Sequence, residues 1–119
     1  MRIYTSYFAN LKKIPDEFTT IAICGKSPDW YTGLQYKRLA PSYSIWSEYN
    51  NSGDSERYTL RFNSEILSKL NIHETFQALE NMSGGKDIVL LCYESPEKFC
   101  HRHLVAEWLI MNGYDCKEL

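Results

Sequence analysis

The chain reads as an α/β protein, a single three-layer α/β/α domain of Rossmann-like kind around a mostly parallel central sheet. Three observations predict it. Asp87-Ile-Val-Leu-Leu-Cys92 is an apolar run between polar turns, the pattern of a strand buried on both faces in the middle of a parallel sheet. Arg2-Ile-Tyr-Thr-Ser6 and Thr19-Thr-Ile-Ala-Ile-Cys24 are further runs rich in β-branched and apolar residues, which suit strands. Later stretches carry apolar residues at helical spacing, and strands separated by helices imply right-handed parallel crossovers.

Taken in order, residues 2–6 make a short strand, and Leu11 to Phe18 form a brief connection holding Pro15. Residues 19–24 make a second strand, stopped by Gly25. Residues 25–53 are long and irregular and carry Trp30, Tyr31, Tyr36, Tyr43, Trp46 and Tyr49; a third strand is expected through Tyr43-Ser-Ile-Trp46. Asp54 can cap a helix running to about Leu70, because Tyr58, Phe62, Ile66 and Leu70 recur every fourth residue. Asn71 can cap the next, in which Ile72, Phe76, Leu79 and Met82 keep helical spacing until Ser83-Gly84-Gly85-Lys86 ends it. After the 87–92 strand, a helix from Phe99 to Asn112 would bury Leu104, Val105, Trp108 and Leu109, with Gly113 at its C′ position. Tyr114 to Glu118 then suits a last edge strand.

Composition narrows the function classes. At 119 residues the chain is expected to be one domain over 1–119. A formal net charge of −2 leaves no overall electrostatic footprint for nucleic acid, although a local contact stays open. No apolar run approaches the ~18 residues of a membrane span, and Met-Arg-Ile-Tyr-Thr-Ser-Tyr lacks a signal-peptide core. A cytoplasmic, non-membrane protein is expected. In that setting its 4 cysteines are expected to be thiols, metal ligands or core residues rather than a disulfide framework.

Chemistry is expected beyond the carboxyl ends of the strands, where loops meet helix N-termini. Parallel pairing of 2–6, 19–24 and 87–92 would bring Ser6, Cys24, Lys26, Cys92 and Glu94 to one edge, facing the helix that opens near Cys100. Arg102, Lys26 and that positive helix end would together favour an anion. A thiol at a helix N-terminus beside His and Arg has its thiolate stabilised. Cys100 fits that description first and Cys92 second, with His101 or His103 as base and Glu94 to orient it. The catalytic candidates are therefore Cys92, Glu94, Cys100 and His101, and the ligand-binding candidates Ser6, Lys26, Trp30, Tyr31 and Arg102. Cys24 and Cys116 read as core.

Three alternatives bear on this. Phosphatase-type loops need about five residues between Cys and Arg, whereas nine separate Cys92 from Arg102 and one separates Cys100 from it. Zinc is compatible with Cys92, Cys100 and one of His101 and His103 by ligand type, but no Cys-x2–4-Cys knuckle is present, so neither a metal nor another cofactor is assigned. The aromatic loop, interleaved with Lys26, Lys37 and Arg38, can either stack bases or seal its own satellite core.

The Leu91-Cys-Tyr-Glu94, Pro96, Cys100-His-Arg-His103 pattern resembles the signature of the domain-of-unknown-function 488 family, in its short bacterial and phage-type members. Arg2-Ile-Tyr-Thr-Ser-Tyr-Phe8 resembles that group's first strand, and the Trp30-Tyr31-x-Gly33-Leu-x-Tyr36-Lys-x-Leu39-Ala-Pro41 stretch its central loop. Longer members show an Asp-x-Arg motif where this chain has Cys24-Gly25-Lys26, so the resemblance carries no acid–base role to the second strand. It implies the fold and brings no activity with it. Two function classes follow from the residues: a small enzyme on a nucleotide, nucleobase or similar anionic ligand, or a non-catalytic domain that binds such an anion.

Overall fold

A computed structural model describes all 119 residues. Five strands, β1 (Ile3–Tyr7), β2 (Thr19–Ala22), β3 (Leu34–Gln35), β4 (Ile88–Cys92) and β5 (Cys116–Glu118), form one sheet in the order β3-β2-β4-β1-β5. Every pairing is parallel, so the protein is α/β with its carboxyl-edge loops on one side. Central β4 is buried at all five positions, as its unbroken apolar sequence requires. No helix is long and apolar enough to cross a membrane.

Strand alternation divides the interior in two. Ile3, Ile21, Ile23, Ile88 and Leu90 face a core shared with α1 (Tyr43–Ser52), α2 (Ser55–Glu65), α3 (Ile72–Ser83) and α4 (His101–Met111). Ile45, Phe62, Leu79, Val105 and Leu109 supply the helical half of that core. Ala22, Cys24, Val89 and Leu91 face the opposite way, against Phe8, Ile14 and Tyr31. No α-helix covers this second face. Its layer is the 3₁₀ helix Phe8–Lys13 and the aromatic stretch after β2, which leaves that side thin.

The expected strand through Tyr43–Trp46 is a helix instead. Ser42 accepts the Ile45 amide at 3.2 Å as N-cap, and Gly53 closes α1 at φ +68. Ile45 then faces the core, and Tyr49 packs edge-on against Tyr58. The third strand is Leu34–Gln35, pairing with Ile21 and Ala22. Two exposed residues are too few to show an alternating pattern. The other caps stand where the sequence places them. Asp54 accepts from the Arg57 amide and Asn71 from the Glu74 amide, each at 3.0 Å. The α2 segment passes into a 3₁₀ turn at Leu67–Lys69.

Candidate functional site

Cys92 ends β4, and Cys100 is the N-cap residue of α4 with extended backbone. The loop 93–99 doubles back between them. The two sulfurs lie at bonding distance, 2.11 Å, and form a disulfide. The fold carries the end of the strand to the start of the following helix, so two cysteines eight apart in sequence meet. Cys24 and Cys116 are free and buried. Burial pushes both thiols up, Cys116 to about 11, so both stay protonated and inert at neutral pH.

Arg102, in the first turn of α4, is fully buried. Its Nε and Nη2 donate to the two carboxylate oxygens of Glu118 at 3.1 and 2.9 Å. Nη1 donates to Cys92 Sγ at 3.3 Å and to the Glu94 carbonyl. The Tyr7 ring lies beneath the guanidinium, 5.7 Å from centroid to Cζ. Removing a guanidinium from water costs several kcal/mol unless its donors are matched, and this fork–carboxylate arrangement matches most of them. Thr5 Oγ1 donates to Glu118 at 2.7 Å and holds the carboxylate in place. The cation is thus fixed against one sulfur of the pair.

His101 is buried and its Nε2 meets the Ile23 carbonyl at 2.6 Å. A carbonyl only accepts, so Nε2 carries the proton and the lone pair sits on Nδ1. Desolvation by burial, outweighing that hydrogen bond, pushes the imidazole down to about 4, with Arg102 and His103 adding to the effect. It is neutral at pH 7. One ring nitrogen of His101 and the sulfurs of Cys92 and Cys100 lie within 4.8 Å of one another. His103 Nε2 is enclosed without a hydrogen-bond partner.

The other candidates occupy different stations around this centre. Ser6 is buried on β1 beside Leu91, and its hydroxyl accepts from Asn10. Lys26 is exposed, and its carbonyl accepts from the Tyr93 hydroxyl. Glu94 meets Arg102 through its main-chain carbonyl, and its side chain makes no ion pair. Trp30 is 60 % exposed and packs edge-on against Phe8, with Tyr31 and Tyr93 against the same ring. Phe8, Ala9, Leu11, Lys12 and Trp30 line an open groove of about 600 Å³. Tyr31 is buried, and its hydroxyl donates to the Leu34 carbonyl at 2.9 Å. It ties β3 to the sheet and has little surface to offer a ligand.

Gly33 lies under that ring: a Cβ there would stand 2.2 Å from the Tyr31 hydroxyl. Because the hydroxyl is anchored, it cannot yield cheaply. Gly33→Ala should cost about 1–3 kcal/mol, read from the shift of the urea midpoint. The shift should shrink when Tyr31→Ala is added, because the ring carbons as well as the hydroxyl meet the new Cβ.

Sequence reading misses Glu118, Thr5 and Tyr7. Parallel pairing of β5 with β1 sets Glu118 opposite Thr5, so the signal was the expected edge strand together with its position in the sheet. A carboxylate at the end of an edge strand looks like surface until that order is known.

A model of the DUF488-N3a family, described as the active DUF488-N3 subclade, matches residues 7–113. No curated protein and no solved structure matches the chain. The match takes in β2, β3 and β4, the aromatic layer, the cysteine pair and the His-Arg opening of α4, with Tyr7 alone from β1 and no residue of β5. The chain therefore belongs to the DUF488 family.

Proposed function

We propose that this chain is an enzyme acting on a nucleotide, nucleobase or similar anionic small ligand, with Cys92 as its nucleophile. The observation that carries the reading is the buried Arg102 guanidinium held 3.3 Å from Cys92 Sγ. Cys92 is buried, which opposes ionisation, and a fixed cation beside its sulfur offsets that and favours the thiolate, the reactive form. Two molecules of an external thiol reduce the pair and leave as their own disulfide, which frees Cys92. The Cys92 thiolate supplies the electron pair for a bond to an electrophilic centre while the leaving group departs with its own, and water then displaces the Cys92 sulfur. The Glu94 carboxylate, unpaired at the rim, is the proton acceptor of this scheme. Lys26 and Trp30 provide the charge and the planar face for the ligand.

A non-catalytic anion-binding domain is the second reading, favoured by the open groove between Lys12 and Trp30. Thermal-shift screening of the reduced protein with nucleoside monophosphates, diphosphates and free bases separates the two. The enzyme reading expects turnover, or a mass adduct on Cys92, that Cys92→Ser abolishes while its fold persists. Stabilisation by a nucleotide that is unchanged in Cys92→Ser, with neither adduct nor turnover, would establish the binding domain instead.

A further inference from the structure

Two sulfurs and an imidazole converge in the interior from the end of a strand and the start of a helix. We infer that, once the disulfide is reduced, Cys92, Cys100 and His101 together hold one thiophilic divalent cation of the zinc class. This rests on the placement of the three side chains and not on the enzymatic reading.

Their ligand atoms lie within 4.8 Å of one another. Tetrahedral zinc, with sulfur at ~2.3 Å and nitrogen at ~2.0–2.1 Å, sets neighbouring ligand atoms about 3.5–3.8 Å apart. Opening the sulfur–sulfur bond and moving the imidazole by about 1 Å reaches that arrangement. With Nε2 engaged by the Ile23 carbonyl, Nδ1 is the ring nitrogen left with a lone pair for an ion. The Nε2–H donates to the Ile23 carbonyl, and a metal-bound histidine characteristically gives its other N–H to a backbone carbonyl or carboxylate.

Charge and chemistry also fit. Two thiolates neutralise a divalent ion, so it enters an interior lined by Val89 and Leu91 without a stranded charge. Arg102 keeps its own partner in Glu118. Three protein ligands leave the fourth position to water or a small molecule. Loading proceeds in two balanced steps. Two molecules of an external thiol give two electrons and two protons to the disulfide and leave as their own disulfide. The ion then displaces both cysteine protons to solvent. Oxidation reverses the process and ejects the ion, while a loaded ion removes Cys92 as a free nucleophile.

The test is titration of the phosphine-reduced protein with Co(II), read by near-ultraviolet thiolate-to-cobalt charge transfer and by visible d–d bands. The expected result is one ion per chain, displaced by zinc, with the bands retained in Cys24→Ser/Cys116→Ser. They should be lost in Cys100→Ser and Cys92→Ser and absent from the oxidised protein. His101→Gln should weaken binding at least about tenfold. Circular dichroism checks each fold, and if Cys92→Ser unfolds, Cys100→Ser decides. No charge-transfer band in the reduced wild type, or one that survives Cys100→Ser, overturns the inference. Absence of the band alongside nucleotide-dependent modification of Cys92 would sink this inference alone and leave the enzyme standing.

Discussion

Glu118→Ala should destabilise the protein by about 3–5 kcal/mol, the usual cost of leaving a buried charge without its partner. The Arg102 side chain is 0 % exposed, and its two donor arms rest on the Glu118 carboxylate. After truncation the guanidinium keeps only Cys92 Sγ, the Glu94 carbonyl and the Tyr7 face. Neither a carbonyl nor a ring supplies the lost negative charge. For a domain of this size the change corresponds to a fall in Tm on the order of 10–15 °C. Arg102→Met should cost less, because the Glu118 side chain is 28 % exposed and its carboxylate can rehydrate. Urea denaturation of the oxidised proteins measures both. A Glu118→Ala variant within about 0.5 kcal/mol of wild type would mean the pair is a surface ornament.

Acidification should remove about 3 kcal/mol of stability between pH 6.5 and 4, with His101 as the source. Its imidazole is pushed from 6.5 down to about 4 by burial against the helical core. Between those values the unfolded chain takes up a proton that the folded chain does not, so stability rises with pH across the window. The contribution is complete above the unfolded value and is lost as pH falls towards the folded one. At about 1.4 kcal/mol per unit, the window gives the figure stated. The charged and titratable groups bearing on the ring are Arg102 and His103, both of which oppose its protonation. Carboxylates held low by partners, such as Glu65 beside Arg61, are exposed and stand apart from the buried ring. His101→Gln should therefore flatten the profile above pH 4.5 in urea titrations run with chelator. A slope unchanged by that substitution would place the acid sensitivity elsewhere.

Much of the sheet was legible from β4 outward. A run of Ile-Val-Leu-Leu between Asp87 and Cys92 has only one comfortable place, the middle of a parallel sheet, and that fixes which edge carries Cys92. Asn71 and Asp54 announced their helices by capping chemistry, and Gly113 its turn by lying just past a helical stripe. The α1 helix was hidden because Tyr43, Ile45 and Trp46 carry strand propensity while Ser42 and Gly53, which cap it, look like loop residues. The β3 strand is held by the Tyr31 hydroxyl and two pairings rather than by any pattern of its own.

At the site, Cys92, Cys100, His101 and Arg102 were readable as a cluster because strand end and helix start must approach. Their individual duties were not. Which sulfur faces the cation depends on the path of loop 93–99, and Arg102 finds Glu118 only through the order of the edge strands. Likewise the conversion of Tyr31 from ligand candidate to structural tie depends on Thr20 and Leu34 arriving together.

In the proposed mechanism Arg102 makes Cys92 the activated thiol. The measurement is the pH dependence of alkylation of each cysteine in the reduced, metal-free protein, resolved by peptide mass spectrometry. The midpoint of each profile reports thiolate formation whatever the access of the reagent. Cys92 should give a midpoint well below that of an ordinary thiol, about 8.5, and Arg102→Met should raise it. Cys24 and Cys116, whose thiols burial pushes up, should react only at more alkaline pH. A Cys92 midpoint at or above 8.5 that Arg102→Met leaves unmoved would contradict the account.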